Sequence, residues 1–169
     1  APKALRRPVT DKEIESFVSL AKPHHPKDQP MHKMVRAPLR TMFSSPQFLF
    51  HAGQPGPLDN HALASRLSYF LWKTLPDDEL TSLANEKKLT QPKVLAMQVD
   101  RMLNDLRSNR FINDFLDGWL HLSDIDATTP DPTLYPEYDN ELRQAMLEET
   151  RLYLRELLAK NLPARNFIK

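Results

Sequence analysis

Arg66 stands three residues before Tyr69 and four before Phe70, inside the most apolar stretch of the chain, 63–72. A guanidinium in apolar surroundings needs a carboxylate, because a buried charge without a partner is costly. Glu149 is the expected partner, since helical spacing puts it on one face with Leu142, Met146 and Tyr153, while Glu148 falls with Glu141, Gln144 and Arg151 on a solvated face. Asp78 is the alternative partner. The first reading of this set is a structural ion pair between helices. The second is a ligand-binding or catalytic pair, because perturbed carboxylates gather at functional sites.

Asp114, Asp117 and His121 recur at i, i+3 and i+7, one face of a helix. Oxygen and nitrogen donors at that spacing form a candidate surface site for a divalent cation, against the plainer reading of a solvated polar face shared with Arg110. His24 and His25, with His32 nearby, read as a polar loop before they read as metal or distal haem ligands. Met31, Met34 and Met42 are spaced as core filler. Asp124, Asp126, Asp131, Glu137 and Asp139 make an acidic loop. Paired carboxylates are what glycoside hydrolysis requires, yet a solvated loop has the same composition, and the turn glycine of a calcium-binding EF-hand is missing. Trp72 and Trp119 have helical apolar neighbours and read as core rather than as sugar platforms. No metal and no cofactor are expected in this chain itself.

Composition narrows the chemistry further. The chain of 169 residues has no cysteine, 3 glycines and 15 prolines, where average usage is about 7% glycine and about 5% proline. Cys-ligated zinc, thiolate nucleophiles, iron–sulfur clusters and covalent haem attachment within this chain are thereby excluded. Gly53, Gly56 and Gly118 do not form a dinucleotide fingerprint or a phosphate loop. With 23 Lys plus Arg against 22 Asp plus Glu, the net charge of +1 argues against a nucleic-acid partner. No apolar run reaches the roughly 18 residues of a membrane span. The start at Ala1 shows no signal peptide, and the chain reads as a processed or excised piece.

The elements that must position these residues are all helical. Thr10-Asp11-Lys12-Glu13 has capping-box spacing and opens a helix over about 11–22. Met31, Met34, Val35, Leu39, Met42 and Phe43 form the stripe of a second helix that contains Pro38. Phe48-Leu49-Phe50 is a short apolar turn, and the stretch 51–58 is the candidate linker. Asp59 caps a helix apolar on most sides, and Pro76-Asp77-Asp78-Glu79 opens a short one to about Asn85. Thr90-Gln91-Pro92 opens the next, which carries Leu95, Val99, Met102, Leu103 and Leu106. A helix over about 108–122 presents Phe111, Ile112, Phe115, Leu116, Trp119 and Leu122. A Pro- and Asp-rich loop then leads to a last helix over about 140–160, with Leu142, Met146, Tyr153 and Leu157 in line. The expected fold is all-α, an irregular bundle of about seven helices, with a small N-terminal module (1–50), a linker (51–58) and a main module (59–169).

Several segments in order carry a resemblance: Arg6-Arg7-Pro8-Val9-Thr10 with Glu13, Ser45-Pro46-Gln47-Phe48-Leu49, the run Leu63-Ala64-Ser65-Arg66-Leu67-Ser68-Tyr69-Phe70-Leu71-Trp72, and Pro76-Asp77-Asp78-Glu79-Leu80. Arg101-Met102-Leu103, Trp119-Leu120, Pro136-Glu137-Tyr138-Asp139, and Ala145-Met146 with Glu149-Thr150 continue it. Together they resemble the planctomycete-type domains of unknown function, the PSD series, found in large exported proteins that also carry c-type cytochrome domains. Departures are His51-Ala52, where the family tends to carry Arg-x-Glu, and Glu86-Lys87-Lys88, where a glycine is usual. The resemblance implies a periplasmic or cell-surface setting, and neighbouring domains of the parent chain, some haem-bearing, as partners. It implies a noncatalytic scaffold or docking module. A carboxylate-based enzyme or binding domain acting on polysaccharide is the alternative.

Overall fold

The computed structural model describes residues 2–19, 31–50 and 55–167. Among these residues there are nine α-helices, seven of them of seven residues or more, and no strand, so the fold is all-α as the 3.6-residue periodicity predicts. His24 and His25 lie outside the described residues, as do the side chain of Met31 and the first half of the 51–58 stretch. In its second half Gly56 has φ 125, a backbone region that only glycine adopts readily.

The contacts divide the chain into two compact units. The first comprises Ala1–Tyr69 with Thr74–Leu95, and the second comprises Phe70–Lys73 with Ala96–Lys169. The first unit contains α1 (Pro2–Leu5), α2 (Asp11–Ser19), α3 (Met31–Phe43), α4 (Pro46–Leu49), most of α5 (Asn60–Trp72), α6 (Asp78–Asn85) and the start of α7 (Pro92–Leu103). The capping box forms at α2. Glu13 Oε2 accepts from the Thr10 N–H at 2.9 Å, and the Glu13 N–H donates to Thr10 Oγ1 at 3.3 Å. The same carboxylate takes a forked bond from Arg7, at 2.6 and 3.2 Å. In α6, Asp77 caps by accepting from Leu80 N at 3.0 Å, and Leu80 and Ala84 are buried with Leu89, Ala64, Ser65 and Ser68. Of the α3 stripe, Met42 is buried and Met34 half-buried, whereas Val35, Leu39 and Phe43 stay exposed.

The second unit is built from the end of α7, α8 (Asn109–Leu120), α9 (Asn140–Ala159) and short 3-10 turns at Leu106–Ser108, Leu122–Asp126 and Ala164–Phe167. Trp72 enters it from the end of α5, fully buried. Its indole N–H donates to Met102 O at 2.9 Å. The Arg107 guanidinium lies 3.4 Å from the ring centroid and that of Arg101 lies 5.4 Å from it, cation–π contacts that hold the two arginine stems against the indole. Ile112, Leu116 and Leu154 form a core cluster, with Phe111, Leu122, Leu158 and Phe167 packed against it.

Two faces differ from expectation. In α9 the buried residues are Leu147, Leu154 and Leu157, while Leu142, Met146 and Tyr153 are exposed. The stripe at 142, 146 and 153 flanks the core face, and both stripes have helical spacing, so periodicity alone does not choose between them. Trp119, expected in the core, is 48% exposed.

Glu13 is held near a pKa of about 2, chiefly by its bond from Arg7 and then by the Thr10 N–H. Asp105 is held at about 2 as well, by the side chain and then the backbone of Arg107. Both lie below the unfolded carboxylate values of about 4. A depressed folded pKa contributes stability that is complete above the unfolded pKa and is lost as pH falls through the folded one. The thermal midpoint should therefore hold steady down to about pH 5 and drop between about pH 4.5 and about pH 2. A titration of melting temperature against pH checks this. The Glu13→Gln, Asp105→Asn double variant should show a shallower drop over the same window.

Candidate functional site

Arg66 is on the outer side of α5 and is exposed, not enclosed by Leu63, Leu67 and Leu71. α5 buries Ala64, Ser65 and Ser68, all small, and Leu71 and Trp72 at its end, and leaves Arg66 and Phe70 to solvent. Asp78 and Glu149 are exposed too. No ion pair joins Arg66 to Asp78, and neither Arg66 nor Glu149 has a hydrogen-bond or ion-pair partner among the described residues. The premise of a buried, carboxylate-dependent guanidinium at Arg66 is thereby corrected.

The arginine that ties elements of the first unit together is Arg6, half-buried and bonded to backbone carbonyls instead of a carboxylate. Arg6 sits just past α1, in left-handed backbone conformation with φ 57. Its Nη1 donates to Phe48 O at 3.1 Å, and its Nη2 donates to Gln47 O at 2.8 Å and to Phe50 O at 3.2 Å. Its guanidinium also lies 5.6 Å from the Tyr69 ring centroid. Carbonyls at the end of a helix lack partners inside it, and this cation supplies them for α4. The sequence signal was the Arg6-Arg7-Pro8 run, whose structural role spacing does not reveal.

Around Arg6 the first unit opens two adjoining clefts. One, of about 280 Å³, lies between Arg6, Arg7, Asp59, His61 and Arg66, with Phe50 on its wall. The other, of about 360 Å³, shares Arg6, Arg7, Pro8 and His61 with it and continues along Lys3, Ala64, Leu75, Pro76, Asp78 and Ala84. Arg66 and Asp78 thus line neighbouring clefts without touching each other. Asp59 is committed as the cap of α5, accepting from Ala62 N at 2.7 Å.

The second unit does not assemble the other expected sites. α8 ends at Leu120, and His121 has φ 52, so it leaves the helical face that carries Asp114 and Asp117. Asp114 pairs with Lys73, and His121 Nδ1 is 3.8 Å from Asp124 Oδ2. Among the described residues no group of three or more His, Asp or Glu is placed to hold a metal ion. His32 is exposed on α3. In the acidic loop Asp126 takes both bonds from Arg143 Nη1, at 2.9 and 3.0 Å, and Asp139 caps α9 by accepting from Leu142 N at 2.8 Å. The Thr133 N–H, at 2.7 Å, lowers the pKa of Asp131. Glu137 is exposed. A general acid for glycoside hydrolysis needs a raised pKa. Asp126, Asp131 and Asp139 serve as hydrogen-bond acceptors that pin the loop and the start of α9.

Sequence reasoning did not anticipate an aromatic strip across the second unit. Phe70, Phe111, Phe115, Trp119 and Phe167 follow one another at ring-centroid distances of 5.0, 5.7, 5.5 and 5.2 Å, and Tyr153 ends the row 6.4 Å from Phe167. Phe70 is 64% exposed, and Phe115 and Tyr153 are exposed with Trp119. The i, i+4, i+8 spacing of Phe111, Phe115 and Trp119 is the signal that could have found it.

No helix among the described residues is long and apolar enough to cross a membrane. No curated protein and no solved structure matches the chain. Two family models do, both described as proteins of unknown function: PSD5 (DUF1595) over residues 1–52 and PSD4 (DUF1592) over residues 58–169. With most of its length inside the second match, the chain belongs to the PSD4 family of proteins of unknown function.

Proposed function

We propose that the chain is a noncatalytic helical scaffold or docking module of a larger exported protein, periplasmic or at the cell surface, whose other domains include c-type cytochromes. The observation that carries this reading is the aromatic strip of the second unit. Half-exposed Phe115, Trp119 and Tyr153, with the more exposed Phe70 at one end, make a contiguous apolar surface. Such surfaces on water-soluble units mark interaction sites, and aromatic side chains dominate the binding energy of interfaces. The carboxylates support the same reading. Glu13, Glu86, Asp105 and Asp131 all have lowered pKa values, each through a donor beside it, the pattern of structural bonding rather than of a poised acid. The partners are neighbouring domains of the parent chain, and any haem c is held by them.

Hydroxyl-radical footprinting tests this on the chain alone and on its full-length gene product. Phe115, Trp119 and Tyr153 should be modified several-fold more slowly in the full-length protein. Equal rates in both would remove the docking reading. The full-length product should also fractionate with exported proteins and show a Soret band, and its absence would remove the cytochrome context.

A further inference from the structure

We propose that the paired clefts of the first unit bind a small amphiphilic carboxylate, an organic acid with an apolar body, with its anionic group at Arg66 and His61 and its body beside Leu75. The argument begins with charge. The cleft that contains Arg66 holds three guanidinium groups, Arg6, Arg7 and Arg66. Arg7 is neutralised by Glu13, and Asp59 offsets a second charge while capping α5. Arg6 is bonded only to carbonyl oxygens, whose dipoles solvate its charge without cancelling it. A surplus of one positive charge remains, and Arg66 is the guanidinium whose fork is unengaged. A planar fork matches a carboxylate through two parallel N–H···O bonds.

One surplus charge suits a monoanion better than a doubly charged phosphate, which would leave a negative charge uncompensated. The second cleft sets the rest of the ligand. Its wall includes Pro8, Ala64, Leu75, Pro76 and Ala84, and it shares Arg6, Arg7, Pro8 and His61 with the first cleft. A cavity of about 360 Å³ lies in the usual range for small-molecule sites, apolar with a few polar anchors. Asp78 and Lys3 stand at opposite charges along this lobe, so it adds no net attraction for a second anionic group.

The test is titration of the chain with phenylbutyrate, followed by two-dimensional NMR and calorimetry, with phenylbutanol, acetate and inorganic phosphate run in parallel. Phenylbutyrate should shift the amide signals of His61, Arg66 and Leu75 and should bind at least tenfold more tightly than the other three probes. Arg66→Gln should weaken it at least tenfold. This variant keeps its fold because Arg66 is exposed and unpartnered, which an unchanged melting temperature verifies. Leu75→Asp, also at an exposed position, should weaken phenylbutyrate while leaving acetate unchanged. Equal affinity for phenylbutanol, tighter binding of phosphate, shifts confined to other residues, or an Arg66→Gln variant that binds as well as the parent would each overturn the proposal.

Discussion

Replacing Trp72 with alanine should lower the free energy of unfolding by about 3–5 kcal/mol, the range for deleting a large aromatic from a packed core. Trp72 is 0% exposed and its indole fills the second unit where α7 and the following 3-10 turn meet. Three interactions are lost together. The indole N–H no longer satisfies Met102 O, a carbonyl in the last turn of α7 whose other contact, from the Asp105 N–H, is a longer 3.4 Å. The Arg107 guanidinium loses the ring face it covers at 3.4 Å, and Arg101 loses its own at 5.4 Å. Trp72→Phe separates the contributions. It retains most of the apolar area but leaves Met102 O without its short bond, so about 1–3 kcal/mol is expected. Urea unfolding followed by circular dichroism measures both. A cost for Trp72→Ala below about 1 kcal/mol, the level of a surface substitution, would mean that the second unit is not assembled on this side chain.

Much of the fold was legible because helix boundaries carry local chemistry. Thr10, Asp59, Asp77 and Asp139 are all caps whose side chains accept from the first turn of their helix, and residues of these types stand at the expected starts. Helical faces were less legible. In α9 the stripes at 142, 146, 153 and at 147, 154, 157 are adjacent, and the neighbouring helix that selects one of them is not written in local sequence. The same limit put Arg66 inside and Trp119 in the core. Apolar flanks predict an apolar environment, but α5 buries Ala64, Ser65, Ser68, Leu71 and Trp72 and turns Arg66 and Phe70 to solvent. The Asp114, Asp117 and His121 triad depended on a helix reaching 121, and left-handed backbone at His121 ends it one residue earlier. α1 has four residues, too short for any periodicity to announce it.

Arg6 rather than Arg66 should be the more sensitive of the two arginines near the clefts. Hydrogen bonds from a charged donor contribute about 1.5–3 kcal/mol each when desolvated. The three bonds of Arg6 are partly wet, so Arg6→Met is expected to cost about 2–3 kcal/mol rather than the full sum. The loss falls on α4, which has four residues and no side-chain cap at Ser45, and which therefore depends on a tertiary partner for its terminal carbonyls. Arg6→Lys should recover only part of the cost, because a single ammonium cannot reproduce the planar fork across Gln47, Phe48 and Phe50. Arg66→Met, at an exposed position without a partner, should change stability by less than about 1 kcal/mol. Urea unfolding of the three variants orders them. If Arg66→Met proves the costlier change, Arg66 and not Arg6 is the arginine that ties the first unit together. If Arg6→Lys matches the parent, the charge alone matters and the fork to α4 does not hold that turn in place.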